Sequence, residues 1–599
     1  MYCGNVECGK FLHPSEHIKD ADTEIAYAVC DGNDCFQATC YTCKSLLAEG
    51  IQEHVCQVAE NEKKFKETVD EKGYKECFVC GRTVELAEAC NHITCECGNS
   101  FCYVCGKGWT GICRDRATYF VGELLKCQKN NAAAGFSAGY LSGFPESEFV
   151  KLENGTLSNG NVPYYAVGDA NSKTVLLALA GWVDKRTGKM SYDQMQKIMQ
   201  TEFGGMNEVL ADIYHQTGDK KWLTAAQRFD HAAVFDPLAS SQDKLDGLHA
   251  NTQVPKWIGA AREYKATGTS RYADIARNGW QFTINAHSYT IGGNSQAEHF
   301  HAPNEITAWL KEDTAEGCNT YNMLKLTREL FTMNPTDTSY FDFYERALIN
   351  HMLGQQDPST DHGHITYFTS LNPGGRRGLG PAWGGGTWST DYDSHWCCQG
   401  TGIETNTKMQ DSIYFYDDSS LYVNLFTPSK LNWKPRNVTV VQSTTFPASD
   451  TTKLAVTGTG EWAMKIRIPS WTSNATIAVN GATQSITATP GSYATLPRTW
   501  ATGDVVTIKL PMKLRVIPAN DNKSVAALVF GPSVLCGNYG SSTLTANPKL
   551  DLGSVKRNGT SGLTFAGTAD GKAVNIGPFY EAQGFNYAVY WAVSGALPA

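Results

Sequence analysis

Fifteen of the 20 cysteines in this chain fall at or before Cys113, and that crowding decides what its first part can fold into. A head this short, with few large apolar residues, cannot bury enough surface to fold on its own core, so it needs cross-links or metal. Cys40 and Cys43, Cys77 and Cys80, and Cys102 and Cys105 each show the two-residue spacing that lets both thiolates of a tight knuckle reach one metal. Tetrahedral sets can be drawn from Cys3, Cys8, Cys30 and Cys35, from Cys40, Cys43, His54 and Cys56, and from Cys77, Cys80, Cys95 and Cys97. Cys102, Cys105 and Cys113 make most of a fourth. The alternative is a disulfide framework. The start, Met1-Tyr2-Cys3-Gly4-Asn5, lacks the basic and apolar regions of a secretory leader, which favours Zn²⁺.

The whole chain, at 599 residues, is too long for one ordinary core and calls for several domains. A net charge of -9 spread over this length argues against a nucleic-acid partner. No apolar run reaches membrane-spanning length, so no membrane partner is expected. Asn154, Asn437, Asn474, Asn522 and Asn558 each open an Asn-x-Ser/Thr triplet, all beyond the cysteine-rich head. The compartment stays open: cytoplasmic as written, with a hint of secretory ancestry in the long part.

The few later thiols stand out for their company. Glu316-Gly317-Cys318 and the adjacent pair Cys397-Cys398 supply one carboxylate and three thiols, a donor set suited to tetrahedral Zn²⁺. A metal-bound thiolate is also a nucleophile at neutral pH. Plain buried cysteines, or a strained vicinal disulfide, are the bland alternatives.

Helical periodicity runs from Lys197 to Tyr214, Val254 to Tyr264 and Tyr321 to Phe331, with loops rich in Gly, Asn and Pro between. Repeated helical hairpins suggest an α/α toroid. After Tyr416 the pattern alternates: Leu421–Phe426, Val438–Val441, Ala463–Ile468 and Val505–Leu510 read as strands of a β-sandwich. The expected layout is multidomain: RING-like zinc modules over 1–60 and 73–115, a toroid over 122–415 and a β-sandwich region over 416–599.

Two resemblances sharpen this. The run from Cys77-Phe78-Val79-Cys80 through Cys90-Asn91-His92 to Phe101-Cys102-Tyr103-Val104-Cys105 resembles the in-between-RING and second-RING modules of RING-between-RING ubiquitin ligases. That likeness implies a ubiquitin partner, with Cys90 as thioester acceptor and His92 as helper. Three departures accompany it: no first RING precedes Cys3, Ala48 stands where the family has His, and Arg114-Asp115 replaces the last zinc ligand.

Gly139–Glu146, Glu202–Asn207, His249–Gln253, Glu298-His299-Phe300, Glu316–Thr320, Tyr344–Leu348 and Trp396–Gly402, in that order and spacing, resemble glycoside hydrolase family 127, the zinc-dependent β-L-arabinofuranosidases. The resemblance covers most of residues 122–599. It implies Glu316, Cys318, Cys397 and Cys398 as zinc ligands, Cys397 as nucleophile and Glu298 as general acid/base. It makes Glu345 and His249 holders of sugar hydroxyls on an arabinose-containing glycan or glycoside. Glu298 then needs a pKa near the working pH, which burial against Phe300 or nearby carboxylates would supply.

Two stretches of that family pattern, before Cys127 and after Tyr165, are missing, so weakened activity is expected. The readings to separate are therefore a hydrolase, a ubiquitin-ligase fragment working through Cys90, and a non-catalytic carbohydrate-binding protein. A merger of two unrelated reading frames near Arg114–Thr118 would account for the combination.

Overall fold

The computed structural model describes most of residues 3–54, short stretches between 75 and 102, and residues 170–598 apart from brief gaps. The chain divides into two compact units, Met1–Phe136 and Ser137–Ala599.

In the first unit three short strands, His17–Lys19, Ala26–Val29 and Ala38–Cys40, form an antiparallel sheet. Cys3, Cys30 and Cys40 are buried beside Leu12 and Ala28, so thiols take the place of aliphatic side chains in its core. The Sγ atoms of Cys3, Cys8, Cys30 and Cys35 all lie within 4.8 Å of one another. Cys40, Cys43 and His54 gather in the same way, with Cys43 Sγ 3.2 Å from His54 Nε2. Cys77 Sγ is 3.8 Å from Cys97 Sγ. Every described cysteine is a free thiol, which sets the disulfide alternative aside for them. Strand pairs Lys75–Glu76 with Thr83–Val84, and His92–Thr94 with Ser100–Cys102, complete what is described of this unit. Cys56, Cys80, Cys90, Cys95, Cys105 and Cys113 lie outside the described residues, as do the side chains of His92 and Cys102.

The second unit opens with helices α1 (Ala170–Thr187), α2 (Tyr192–Ile198), α3 (Met206–Thr217), α4 (Lys220–Gln227) and α5 (Ala232–Ala239). There follow α6 (Ala250–Thr267), α7 (Ser270–Phe282), α8 (Gly317–Met333), α9 (Ser339–Ala347) and α10 (Cys397–Lys408). The helix expected over Lys197–Tyr214 is two helices: the first ends at Ile198, and the second starts after Gly205, which takes a left-handed φ of 77° that other residues resist. Helices α3, α6, α8 and α10 pack side by side, while α4, α7 and α9 cover them from outside, the two-layered arrangement of a helical toroid.

Buried charges stitch the inner layer. Arg262 on α6 pairs with Asp212 on α3 at 3.4 Å and Glu329 on α8 at 3.0 Å, and Lys325 on α8 meets Glu208 on α3 at 3.3 Å. Desolvation consumes much of the energy of such pairs, so their main effect is to fix how the helices line up.

The strands expected after Tyr416 resolve into two bodies. A six-stranded and a four-stranded sheet enclose a core that includes Trp433, Trp462, Trp500, Val440 and Ile466. An eight-stranded sheet from Leu514 to Ser594 follows. The first body is tied to α9 by Arg467, which is fully buried on strand Gly460–Ile468. Its guanidinium donates to the Asn424 carbonyl at 2.7 Å, to Asp342 at 2.6 Å and to Glu345.

Candidate active site

The first turn of α8 and the first turn of α10 bring the thiols together. Glu316 caps α8 and Cys318 lies in its first turn, while Cys397 and Cys398 begin α10. The extended stretch before Glu316 bridges to Phe368, which fixes Tyr367 beside the cluster. A carboxylate oxygen of Glu316 and the Sγ atoms of Cys318, Cys397 and Cys398 all lie within 4.8 Å of one another. Cys318 Sγ is 3.2 Å from Cys398 Sγ, and Cys397 Sγ is 3.9 Å from Glu316 Oε1. Thr401, one turn into α10, donates to Cys318 Sγ at 3.0 Å. Glu316, Cys318 and Cys398 are buried, whereas Cys397 opens to solvent.

These donors fit Zn²⁺. Tetrahedral coordination with Zn–S bonds of about 2.3 Å places sulfurs about 3.8 Å apart, a spacing this cluster reaches with small shifts. Burial, reinforced by the neighbouring thiols, pushes Cys318 and Cys398 well up, while hydrogen bonds from Cys318, Cys398 and Tyr367 pull Cys397 down to about 3. Among the three thiols, Cys397 is thus the one whose surroundings favour the thiolate. Further ionisation of the buried pair needs positive charge among them.

Glu298 reaches the same place from another direction. The tip Gln296–His299 is a tight turn whose end residues bond each other, and its central residues Ala297 and Glu298 have φ of 44° and 66°. Two positive φ values in succession mark the primed hairpin geometry, here built without glycine or asparagine. The half-buried Glu298 carboxylate lies between two donors. The Tyr367 hydroxyl donates to Oε1, and His249 Nε2 lies 3.5 Å from Oε2. His249 caps α6, its Nδ1 accepting from Thr252 N at 3.2 Å and Thr252 Oγ1 at 2.8 Å. That leaves the ring proton on Nε2, toward Glu298.

Two expectations need correction. Glu298 does not gain an upward shift from Phe300, which stacks on Trp257 instead. The hydrogen bond from His249, aided by Tyr367, holds its carboxyl below the usual range. Glu345 is no sugar contact in this structure. It is 2% exposed, and its oxygens are taken by Arg467 and by Trp471 Nε1, at 2.8 Å, so it anchors the sandwich to α9. The structure therefore gathers Glu316, Cys318, Cys397, Cys398, Glu298 and His249, and leaves Glu345 out. Sequence reasoning missed Tyr367, whose hydroxyl also lies 3.4 Å from Cys397 Sγ. A lone tyrosine in a loop carries no signal by itself.

A helical toroid with a thiol-rich donor set beside a carboxylate, joined to a β-sandwich, has the layout of a glycoside hydrolase. A family model described as beta-L-arabinofuranosidase, GH127 catalytic domain, matches residues 99–411, more than half of the chain, and the protein belongs to that family. The GH127 middle domain matches residues 420–512, the sandwich. An IBR domain, a half RING-finger domain, matches residues 59–114, the stretch read above as second-RING-like.

Among solved structures, a GH127 beta-L-arabinofuranosidase from Geobacillus stearothermophilus T6 shares 18% identity over 72% of this chain and 78% of that one, with a TM-score of 0.57. A second GH127 beta-arabinofuranosidase shares 20% identity over 83% and 80%, with a TM-score of 0.58. At these identities the likeness is one of fold. The head is 26% identical over 111 residues to the E3 ubiquitin-protein ligase RSL1 of Arabidopsis thaliana, covering 18% of this chain and 27% of that protein. It is 28% identical over 89 residues to the human E3 ubiquitin-protein ligase RNF216, covering 14% and 10%. The chain thus spans about a quarter or less of the length of these curated relatives.

Proposed function

We propose that the protein is a zinc-dependent retaining glycoside hydrolase acting on β-L-arabinofuranosides, with Cys397 as nucleophile and Glu298 as general acid/base. The convergence of Glu316, Cys318, Cys397 and Cys398 beside the Tyr367–Glu298–His249 run carries this reading. Glu316, Cys318, Cys397 and Cys398 would hold the metal, whose charge keeps the thiols ionised and moderates their basicity.

Cys397, the open sulfur, attacks the anomeric carbon; a C–S bond forms as the glycosidic C–O bond breaks. Glu298 gives its proton to the departing oxygen from its protonated form, whose share falls as pH rises because His249 and Tyr367 favour the carboxylate, and that carboxylate then takes a proton from water. That water attacks the same carbon, the C–S bond breaks, and Cys397 returns as thiolate. Tyr367, touching both groups, aligns acid and nucleophile, while His249 steadies the carboxylate between the two steps. The places where the family pattern breaks off, before Cys127 and after Tyr165, lie outside the described residues.

The test is hydrolysis of 4-nitrophenyl β-L-arabinofuranoside by zinc-loaded protein and by chelated protein. Turnover lost on chelation and restored by zinc supports the reading. Sugar binding without turnover would favour the non-catalytic alternative.

For the head, the clustered thiols and the IBR match support a metal-held module that engages ubiquitin. A ubiquitin thioester lost in Cys90→Ala would support this, and no thioester from a charged conjugating enzyme would remove it.

A further inference from the structure

His299 is exposed and takes no part in the chemistry proposed above. Its Nδ1 lies 2.6 Å from the Ala297 carbonyl oxygen. A carbonyl only accepts, so Nδ1 carries a proton, which leaves Nε2 as the lone-pair nitrogen whenever the ring is uncharged. The ring meets His249 edge to face, with centroids 5.4 Å apart and planes at 81°. The exposed His299 is thereby held by a backbone contact at Nδ1 and by a ring contact with His249.

Its place in the order of contacts gives it a task. Cys397 touches Tyr367, Tyr367 donates to Glu298, Glu298 faces His249, and His249 meets His299 edge to face. The nucleophile stands at one end of this run and His299 at the other, beyond the acid/base. In a double displacement the leaving group departs on the side of the acid/base, away from the attacking sulfur. That order puts His299 on the acid/base side of the run, the side toward which a group beyond the glycosidic oxygen would extend.

We infer that His299 is a leaving-group contact: its Nε2 accepts a hydrogen bond from a hydroxyl of the departing sugar. This makes the site prefer hydroxyl-bearing leaving groups to flat aryl ones. The inference rests on the hydrolase reading and concerns its specificity. A site built to pair a hydroxyl discriminates strongly against partners lacking one, because the acceptor is otherwise left without a donor.

The experiment compares kcat/KM for an L-arabinofuranosyl-arabinose disaccharide and for 4-nitrophenyl β-L-arabinofuranoside, using wild type, His299→Phe and His299→Gln. His299→Phe keeps the ring and removes the acceptor. It should lower kcat/KM for the disaccharide about tenfold more than for the nitrophenyl glycoside. His299→Gln, which restores an acceptor, should recover part of that loss. Equal effects on the two substrates overturn the inference. Calorimetric binding of the disaccharide to Cys397→Ala, with and without His299→Phe, gives an arm that needs no turnover. Binding weakened about tenfold by His299→Phe supports the contact, and unchanged binding overturns it. An inert wild type overturns the hydrolase reading instead, and the binding arm then still decides on His299.

Discussion

The Tyr367 hydroxyl lies 3.4 Å from Cys397 Sγ while donating to Glu298 Oε1. One phenol thus joins the two groups that a retaining mechanism needs on either side of the anomeric carbon. Burial and the negative charge of Glu316 and Cys397 push its own ionisation far up, so it acts as a neutral donor throughout. Tyr367→Phe should lower kcat by about 10²-fold, the usual effect of removing one aligned donor, with little change in KM. Steady-state kinetics checks this; a change confined to KM would reassign Tyr367 to substrate binding.

The turn that presents Glu298 stores strain. Ala297 at φ 44° and Glu298 at φ 66° occupy positions where Asn-Gly is the comfortable pair, and a non-glycine residue there costs about 1–2 kcal/mol. Ala297→Asn, which tolerates this conformation, should stabilise the folded protein by about 0.5–1 kcal/mol and keep turnover. Denaturant unfolding of the two proteins measures the difference. Destabilisation would mean that the alanine methyl packs in a way that outweighs its backbone cost.

Glu345 separates structure from sugar binding. Its carboxylate is buried against Arg467 and Trp471, and removing one partner of such a pair costs about 3–5 kcal/mol. Glu345→Gln should therefore lower stability by that order while leaving KM for an aryl arabinofuranoside near the wild-type value. A large rise in KM with unchanged unfolding would restore it to the sugar site.

Asp230 and Glu263 make stability pH-dependent. The two carboxyls face each other in the helical core, where Tyr272 donates to Asp230 at 2.7 Å and Asn207 adjoins Glu263. Arg271 and Asp236 are the further charges that act on Asp230. Burial pushes Asp230 up to about 6 and Glu263 well above its ordinary value. A carboxyl raised in the folded state binds its proton more tightly there than when unfolded. The contribution is complete below the unfolded values, 3.8 for Asp230 and 4.5 for Glu263, and falls away as pH rises through the folded values. Thermal unfolding should show this pair's contribution declining from about pH 4.5 to above pH 6, with a flatter profile in Glu263→Gln. Parallel profiles for the two proteins would contradict the assignment.

The cysteine and glutamate cluster was legible because thiols are scarce after Cys127, so Glu316, Cys318, Cys397 and Cys398 stood apart from any packing pattern. Two groupings in the head followed from spacing: the structure gathers Cys3, Cys8, Cys30 and Cys35, and joins His54 to Cys40 and Cys43, while Cys56, Cys80, Cys95, Cys105 and Cys113 lie outside the described residues. The helices α6 and α8 and the main sandwich strands followed from periodicity. The division of Lys197–Tyr214 into two helices was not read, since apolar spacing continues across it. Glu345 was misread because its partner Arg467 lies 122 residues later and on a strand, a pairing no local pattern announces. The turn at Ala297-Glu298 was invisible because it uses neither residue that ordinarily signals such geometry.

The central claim is that Cys397 sulfur becomes bonded to the sugar. A Glu298→Gln variant, zinc-loaded and mixed with a β-L-arabinofuranosyl fluoride, should form the adduct without its acid catalyst and release it slowly for want of a base. Peptide mass spectrometry is expected to find one pentosyl group on the peptide carrying Cys397-Cys398, and none when Cys397 is also changed to Ala. A pentosyl group on another residue, or none at all in a protein whose wild type hydrolyses the same substrate, would contradict the account.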